Sequence, residues 1–250
     1  MILVIDIGNT NIHIGASKTR EVEKELRFST PSSLTPYECF LMVRELRIKN
    51  LKGAVIGSVV PPLTDGFKDM LESYYSIKAL LVEPKKIKSL KFRYKDPSTI
   101  GADRIANAIG AIEEYKRDVI IVDFGTATTL DVVTREGVYL GGVIVPGVES
   151  SLKALISKTA KLPEVEIVIP ERCIGENTEE CIQSGLFFSL LGGLEKIIEK
   201  IEGETGRRFF VIATGGLSKR LGSKIPIIDK IDPLLTLKGL LCIYYESNKG

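Results

Sequence analysis

The sequence predicts an α/β protein made of two similar halves, and three observations carry that reading. Residues 2–15, ILVIDIGNTNIHIG, and 119–133, VIIVDFGTATTLDVV, share one pattern: an apolar β-branched run, a lone Asp, Gly, small hydroxyl or amide residues, and a second apolar run. The copies lie about half a chain apart, which suits a duplicated domain rather than a solenoid, whose period is shorter. After each copy, strand-type and helix-type segments alternate. We therefore divide the chain into domains at 1–117 and 118–250, with no Ser-rich or Pro-rich linker between them.

The first half opens on a hairpin, with a third strand near Leu26 to Ser29. Thr35-Pro36-Tyr37-Glu38 reads as a capping box with proline in the first turn, opening a helix to about Lys49. Gly53 to Val60 is a short apolar strand ended by Pro61 and Pro62, and Thr64 opens a helix toward Tyr75. A strand at Leu80 to Glu83 precedes a basic segment. From Ala102 to Tyr115 the spacing of Ile105, Ala106, Ile109 and Ile112 is helical. The second half restarts with the strand at Val119, followed by strands at Leu130 to Thr134 and Val138 to Val145 around the turn Arg135-Glu136-Gly137. Glu149 to Lys158 reads as helix, and Asn177-Thr178-Glu179-Glu180 opens a long helix to about Ile201. Gly192 and Gly193 weaken that helix unless a backbone or ligand packs there. Phe209 to Ala213 is a buried strand ending in Thr214-Gly215-Gly216, then come a short helix and a final one from Leu237 to Glu246.

Composition narrows the function. With 250 residues, 44% hydrophobic and 26% charged, the chain has the make-up of an ordinary globular protein with room for a real core. A formal charge of +2 is no nucleic-acid footprint. The cluster Lys85, Lys86, Lys88, Lys91, Arg93 and Lys95 reads as a solvated face that would steer anions if it rims a phosphate site. Asp6 interrupts the opening apolar run, which excludes a signal peptide, and no later apolar stretch reads as long enough to span a bilayer. Cys39, Cys173, Cys181 and Cys242 lack metal-type or redox-type spacing and read as reduced thiols of a cytoplasmic protein. The single histidine, His13, builds neither a zinc site nor, by itself, a catalytic triad, and reads as a packing or rim residue. Chemistry here falls to carboxylates, hydroxyls, backbone amides and a bound cation.

An Asp-x-Gly turn between strands is ordinary in a hairpin; its second copy makes it a candidate site. Glycine lets backbone approach a bulky anion, hydroxyls and N–H groups bind its oxygens, and an acid can hold a hydrated cation that bridges phosphates. Asp6, Gly8, Asn9, Thr10 and Asn11 in one turn, and Asp123, Gly125, Thr126, Thr128 and Thr129 in the other, would grip a nucleoside triphosphate if the loops face each other. Thr214-Gly215-Gly216 offers a flat backbone surface for a base or ribose. In Ile100-Gly101-Ala102-Asp103-Arg104, Asp103 can accept a hydrogen bond from a substrate hydroxyl, while Arg104 and the helix start bind an anionic group.

The set DIGNTN at 6–11, SVVPP at 58–62, GADR at 101–104, DFGTATT at 123–129, GGVIVPG at 141–147, TAKLP at 159–163, NTEECIQSG at 177–185 and TGG at 214–216 resembles type III pantothenate kinase, also called the Bvg accessory factor family. The match runs in the family's order over nearly the whole chain. The resemblance implies two ribonuclease-H-like domains of the actin-like, sugar-kinase-like superfamily. It implies ATP-dependent phosphorylation of pantothenate to 4'-phosphopantothenate, the first step of coenzyme A synthesis. Carried over by position, Asp6, Ile7, Gly8, Asn9, Thr10, Asn11, Ile12 and His13 form the first phosphate loop, with Asp6 holding magnesium through water. Thr126, Gly215 and Gly216 bind the nucleotide, and Asp123 binds a monovalent cation, potassium or ammonium. Tyr94, Gly101, Ala102, Asp103, Arg104 and Thr178 line the pantothenate pocket, Asp103 being the general base. The family implies a homodimer with substrate contacts across the subunit boundary and no nucleic-acid or membrane partner. The alternatives are a kinase of the same superfamily acting on another alcohol or sugar, and a regulatory accessory protein on the same scaffold.

Overall fold

The computed structural model describes residues 1–159 and 162–248. Ala160 and Lys161 of the TAKLP motif lie outside the described residues. In chain order the first stretch holds β1 (Ile2–Ile7), β2 (Asn11–Ser17), β3 (Lys24–Ser29), α1 (Pro36–Arg44), β4 (Gly53–Ser58), α2 (Pro61–Tyr75), β5 (Leu80–Leu81), β6 (Lys91–Phe92) and α3 (Ala102–Tyr115). Then follow β7 (Val119–Phe124), β8 (Ala127–Val133), β9 (Val138–Pro146), α4 (Val148–Ser157), α5 (Thr178–Thr205), β10 (Phe210–Thr214), α6 (Ser218–Leu221), β11 (Lys230–Ile231) and α7 (Leu235–Ser247).

One sheet has the order β3-β2-β1-β4-β5 and the other β11-β10-β7-β8-β9-β6. Read from β9 to β11, the second repeats the first strand for strand, and β6 is an added edge. The duplication expected from the two Asp-Gly turns is thus present in topology. In the first sheet β1 and β2, and β2 and β3, pair antiparallel, whereas β1 and β4, and β4 and β5, pair parallel. Parallel pairing recurs at β7–β10 and β10–β11.

The chain forms two compact units. Unit 1 comprises Met1–Lys116, Val133–Gly141 and the chain from Leu234; unit 2 comprises Arg117–Val132 and Gly142–Pro233. In unit 1 the strand pleat sends alternate residues to opposite faces. Leu3, Ile5 and Ile7 with Ile12, Ile14 and Ile56 meet Val43, Leu63, Phe67 and Met70 of α1 and α2 in one core. The other face is kept flat by glycine, and α7 lies on it. A Cβ on Gly15 would stand 2.9 Å from Leu237, one on Gly57 3.0 Å from Leu240, and one on Gly53 would collide with the Tyr244 phenol. Those three side chains recur at helical spacing, so one stripe of α7 covers the face. Helix α7 in turn crosses α3 backbone to backbone: Gly239 abuts the Ala106 carbonyl, and a Cβ on Gly110 would lie 2.7 Å from the Leu235 carbonyl oxygen. The buried Thr236 hydroxyl donates to Asn107 at 2.7 Å beside that crossing.

Boundaries shift where local chemistry outweighs pattern. The capping box forms, Glu38 N–H to Thr35 Oγ1 at 3.3 Å and Thr35 N–H to Glu38 Oε2 at 2.8 Å. Helix α1 stops at Arg44, short of Lys49, because Arg47 and Asn50 take left-handed turns with φ of 50° and 65°. Helix α2 starts at Pro61 rather than Thr64, since proline suits a first turn that needs no backbone donor. Strands β6 and β11, two residues each, carry no periodic signal at that length. Helix α5 corrects one expectation outright: by length and composition it is long and apolar enough to cross a membrane, with a mean hydropathy of 1.3 over its most apolar window. Its interior glycines and serines break up the apolar run, so it does not stand out by eye. Only 33% of that window is buried within the structure, and among the described residues nothing would lie within 4 Å of a Cβ on Gly192 or Gly193 apart from the helix itself.

Candidate active site

In unit 1 the first Asp-Gly turn joins β1 to β2 across residues 8–10. The Gly8 N–H donates to the Asn11 carbonyl at 2.9 Å, and the loop is fastened to the strand end of β3 by Thr30, whose hydroxyl donates to the Gly8 carbonyl at 2.7 Å and whose N–H donates to the Thr10 carbonyl at 2.9 Å. Asn9, Thr10 and Asn11 are exposed, Ile7 and Ile12 buried, and Asp6 half-buried at the carboxyl end of β1. The pattern thus separates buried residues that anchor the turn from the exposed ones at its tip.

Asp6 stands opposite His13 on β2 and opposite Gly57 on β4. His13 is buried at 5% exposure, with Nε2 2.5 Å from Glu25 and Nδ1 3.4 Å from Arg27. A guanidinium only donates, so Nδ1 accepts and the proton sits on Nε2, facing the Glu25 carboxylate. Burial lowers the His13 pKa more strongly than Glu25 raises it, with Arg27 lowering it further, so the ring is neutral at pH 7. Both nitrogens lie against neighbouring side chains.

Gly57, having no side chain, admits the start of α3: a Cβ there would sit 3.7 Å from that of Ala102. The Val59 N–H donates to the Ile7 carbonyl at 3.1 Å, and Val59 Cγ1 lies 3.5 Å from where a Gly101 Cβ would be. The GADR segment is therefore seated at the carboxyl ends of β1 and β4, one strand from Asp6. Gly101 caps α3 without a side chain, leaving the space into which Asp103 folds back. The Asp103 carboxylate accepts the Arg104 N–H at 2.8 Å. Burial raises the Asp103 pKa, and the Arg104 N–H and guanidinium offset it only in part. Arg104 itself is buried at 8% exposure. Tyr94 lies at the β6–β9 edge, its ring 6.1 Å from that of Tyr139 and packed over Gly141.

In unit 2 the second turn is shorter, with only Gly125 and Thr126 between β7 and β8. Thr126 is exposed, and its carbonyl accepts the Gly147 N–H at 3.1 Å and the Ser150 hydroxyl at 2.6 Å. These bonds bring the N-terminus of α4, with its unpaired N–H groups, against the turn. Sequence reading quoted GGVIVPG but not this use of Gly147, whose missing side chain lets the turn's carbonyls approach.

Asp123 is half-buried in the last part of β7, opposite Thr214 of β10. Gly215 adopts φ of 89°, and a Cβ on it would strike the Asp123 carboxylate and lie 2.8 Å from the Phe124 backbone. Thr214-Gly215-Gly216 is therefore packed onto Asp123, and the Leu217 N–H reaches the Phe124 carbonyl at 3.5 Å. On the strands flanking Asp123, the hydroxyls of Thr128 and Thr214 are fully buried and without a hydrogen-bond partner. An unsatisfied buried hydroxyl costs about 1–3 kcal/mol. Hydroxyl and carboxylate oxygens are the ligand type that hard cations take. Among the described residues no three His, Cys, Asp or Glu side chains cluster.

Thr178 is the first residue of α5, exposed, with Asn177 capping the helix through the Glu180 N–H at 2.9 Å. It belongs to unit 2 and lines, with Val145, Leu155, Ile182 and Leu190, an apolar groove of about 570 Å³ between α4 and α5. Cys39 and Cys242 are buried, their thiols pushed by burial to about 12 and about 11, while Cys173 and Cys181 are exposed; all four are free.

Comparison with known proteins agrees with this architecture. The chain is 40% identical over 254 residues to the type III pantothenate kinase of Moorella thermoacetica, covering 99% of this chain and all of that one. Among solved structures, a Baf family protein from Campylobacter jejuni superposes with a TM-score of 0.62 at 20% identity, over 98% of both chains. The activator of 2-hydroxyisocaproyl-CoA dehydratase from Clostridium difficile, solved with bound ADPNP, gives 0.53 at 12% identity, over 99% of this chain and 96% of that one. Both structural likenesses bear on the fold alone, which is that of the actin-like, sugar-kinase-like superfamily. Residues 2–200 match the family described as type III pantothenate kinase, and to that family this chain belongs.

Proposed function

We propose that Asp103 is the general base of this kinase and that Asp6 and Asp123 hold its cations. The reaction is the family's, phosphoryl transfer from ATP to the primary hydroxyl of pantothenate at the entry to coenzyme A synthesis. The observation that carries the residue assignment is the seating of Asp103: its carboxylate is withdrawn from water, its pKa is raised, and Gly57 alone separates its helix from the strand bearing Asp6.

Phosphoryl transfer has a loose transition state, so positioning and electrostatics dominate. Asp103 orients the hydroxyl and takes its proton late, as the oxygen bonds to the γ-phosphorus and the bond to the ADP oxygen breaks. A raised pKa makes the carboxylate a better proton acceptor. Asp6 would hold magnesium through water, with Ile7 to His13 wrapping the phosphates; the ion, when bound, draws charge off the phosphate oxygens. Thr126 at the start of α4 would bind the phosphates, and Gly215 and Gly216 the nucleoside. Gly101, Ala102 and Arg104 would bind pantothenate, joined by Tyr94 and Thr178. Purified protein should release ADP with pantothenate but not with simple sugars. Equal turnover of sugars would overturn the substrate assignment.

The monovalent cation of Asp123 draws on the Thr128 and Thr214 hydroxyls. Thr214→Val should leave thermal stability in sodium buffer unchanged, because no hydrogen bond is lost, yet raise the potassium concentration for half-maximal activation about tenfold. The stabilisation that potassium gives wild type over sodium should shrink with it. A potassium response identical to wild type would remove Thr214 from the site.

A second copy of the chain is the occupant we assign to the apolar groove of α5. The helix leaves most of its apolar window uncovered, and Gly185, Ser189 and Gly192 present a smooth exposed surface for close helix packing. Sedimentation should give a dimer, converted to monomer by Ser189→Lys with secondary structure intact; a wild-type monomer would refute the assignment. The protein would act in the cytoplasm, where both substrates are found.

A further inference from the structure

A cavity of about 650 Å³ opens in unit 1 at the amino ends of β4 and β5, the opposite end of the sheet from Asp6. It lies among the start of β4, the last turns of α2, β5 and the last turn of α7. Lys52, Lys68, Lys78 and Lys86 line it, and among the described residues Glu72 is the only acidic side chain in its lining. Lys68 pairs with Asp65 at 2.8 Å and Lys86 with Glu83 at 2.7 Å, both acids standing outside the cavity. Lys52 and Lys78 are exposed and, among the described residues, have no acidic partner.

Two helices end here, and lysines often serve only to neutralise such carbonyl ends. Here caps from the chain itself meet part of that demand. The Ser76 N–H caps α2 on Glu72, the Asn248 N–H caps α7, and the Asn248 side-chain amide donates to the Tyr244 carbonyl at 2.8 Å. The ammonium groups remain available to something else, and the cavity's volume is that of a small-molecule site. Its floor, Ala54 and Leu81 beside the Tyr244 ring, gives a body to lie against below the charged rim.

We propose that this cavity binds a small phosphorylated anion, with Lys52 and Lys78 as its principal charge partners. Lysine suits this task, since its compact charge on a flexible stem adapts to phosphate without fixed geometry. The site is separate from the transfer reaction and does not depend on the roles assigned above.

Inorganic pyrophosphate, without magnesium, serves as probe for the full-length protein. Acetylation footprinting read by mass spectrometry should show Lys52 and Lys78 protected by pyrophosphate, with Lys24 and Lys196, away from the cavity, unprotected. Lys52→Ser with Lys78→Ser should weaken the calorimetric affinity at least about tenfold, and the remaining binding should be less salt-dependent. Both side chains are exposed, so the variant should keep its circular dichroism spectrum. Equal acetylation with and without pyrophosphate, protection of every lysine alike, or unchanged affinity in the double variant would each overturn the proposal.

Discussion

Asp103→Asn should lower turnover by about 10²- to 10⁴-fold, the usual contribution of a general base, while leaving ATP and pantothenate affinity close to wild type. It should also make the protein more stable at neutral pH. The Asp103 pKa is raised above the ordinary 3.8, chiefly by burial. A carboxyl with a raised folded-state pKa adds stability that is fully present below its unfolded pKa and lost as pH rises through the folded one. Wild type therefore loses that contribution as pH climbs above the unfolded value, and the neutral amide does not. The Tm advantage of the variant should be clear at pH 7 and vanish as pH falls toward 3.8. The acid limb of kcat/KM in wild type should lie above the ordinary aspartate range, and should be missing from the variant's residual activity. A variant that turns over normally, or one less stable than wild type at pH 7, would remove Asp103 from the role given to it.

Gly239→Val should have the largest effect on stability. A Cβ on Gly239 overlaps the Ala106 carbonyl, which belongs to helix backbone and cannot swing aside. Either α3 and α7 separate, opening the stripe of α7 over Gly15, Gly53 and Gly57, or α7 leaves the sheet. Overpacking costs about 1–3 kcal/mol at an ordinary core position, and backbone contact places this site at or above the top of that range. A loss of about 3 kcal/mol lowers Tm by roughly 6–12 °C in a domain of this size. Because α3 carries Asp103, the milder Gly239→Ala should fold yet show a lower kcat with little change in ATP affinity. Thermal melts of both variants, with steady-state kinetics of the second, check this. A Tm within about 2 °C of wild type for Gly239→Val would mean that the crossing tolerates a side chain.

The sequence carried the repeated hairpins well because an Asp-Gly turn flanked by β-branched runs has few other uses. The capping box at Thr35 and the Asn177 cap were equally plain, since each is a local reaction between a side chain and a backbone amide. Burial of the Leu3, Ile5 and Ile7 face follows from alternation in the same way. What the sequence hid was partnership between distant segments. Nothing near Gly57 says that Ala102 rests on it, and nothing near Gly215 says that its positive φ carries it to Asp123. Thr128 and Thr214 look like ordinary strand threonines until their hydroxyls are known to be buried without a hydrogen-bond partner. The end of α1 was missed for another reason: a left-handed turn at Arg47 is not what that residue type favours, and Asn50 lies past the helix end.

The face of the first sheet that carries Gly15, Gly53 and Gly57 is covered by a helix that comes after all of unit 2 in the chain. On the ribosome, strands β1 to β5 emerge long before their cover, and unit 2 can collapse first. Until residues 235–247 clear the exit tunnel, the nascent first unit exposes a flat apolar surface and leaves α3 unbraced. Protein truncated before α7 should accumulate as a chaperone client rather than as a slow enzyme, so that the cell is spared half-made copies that bind nucleotide without using it.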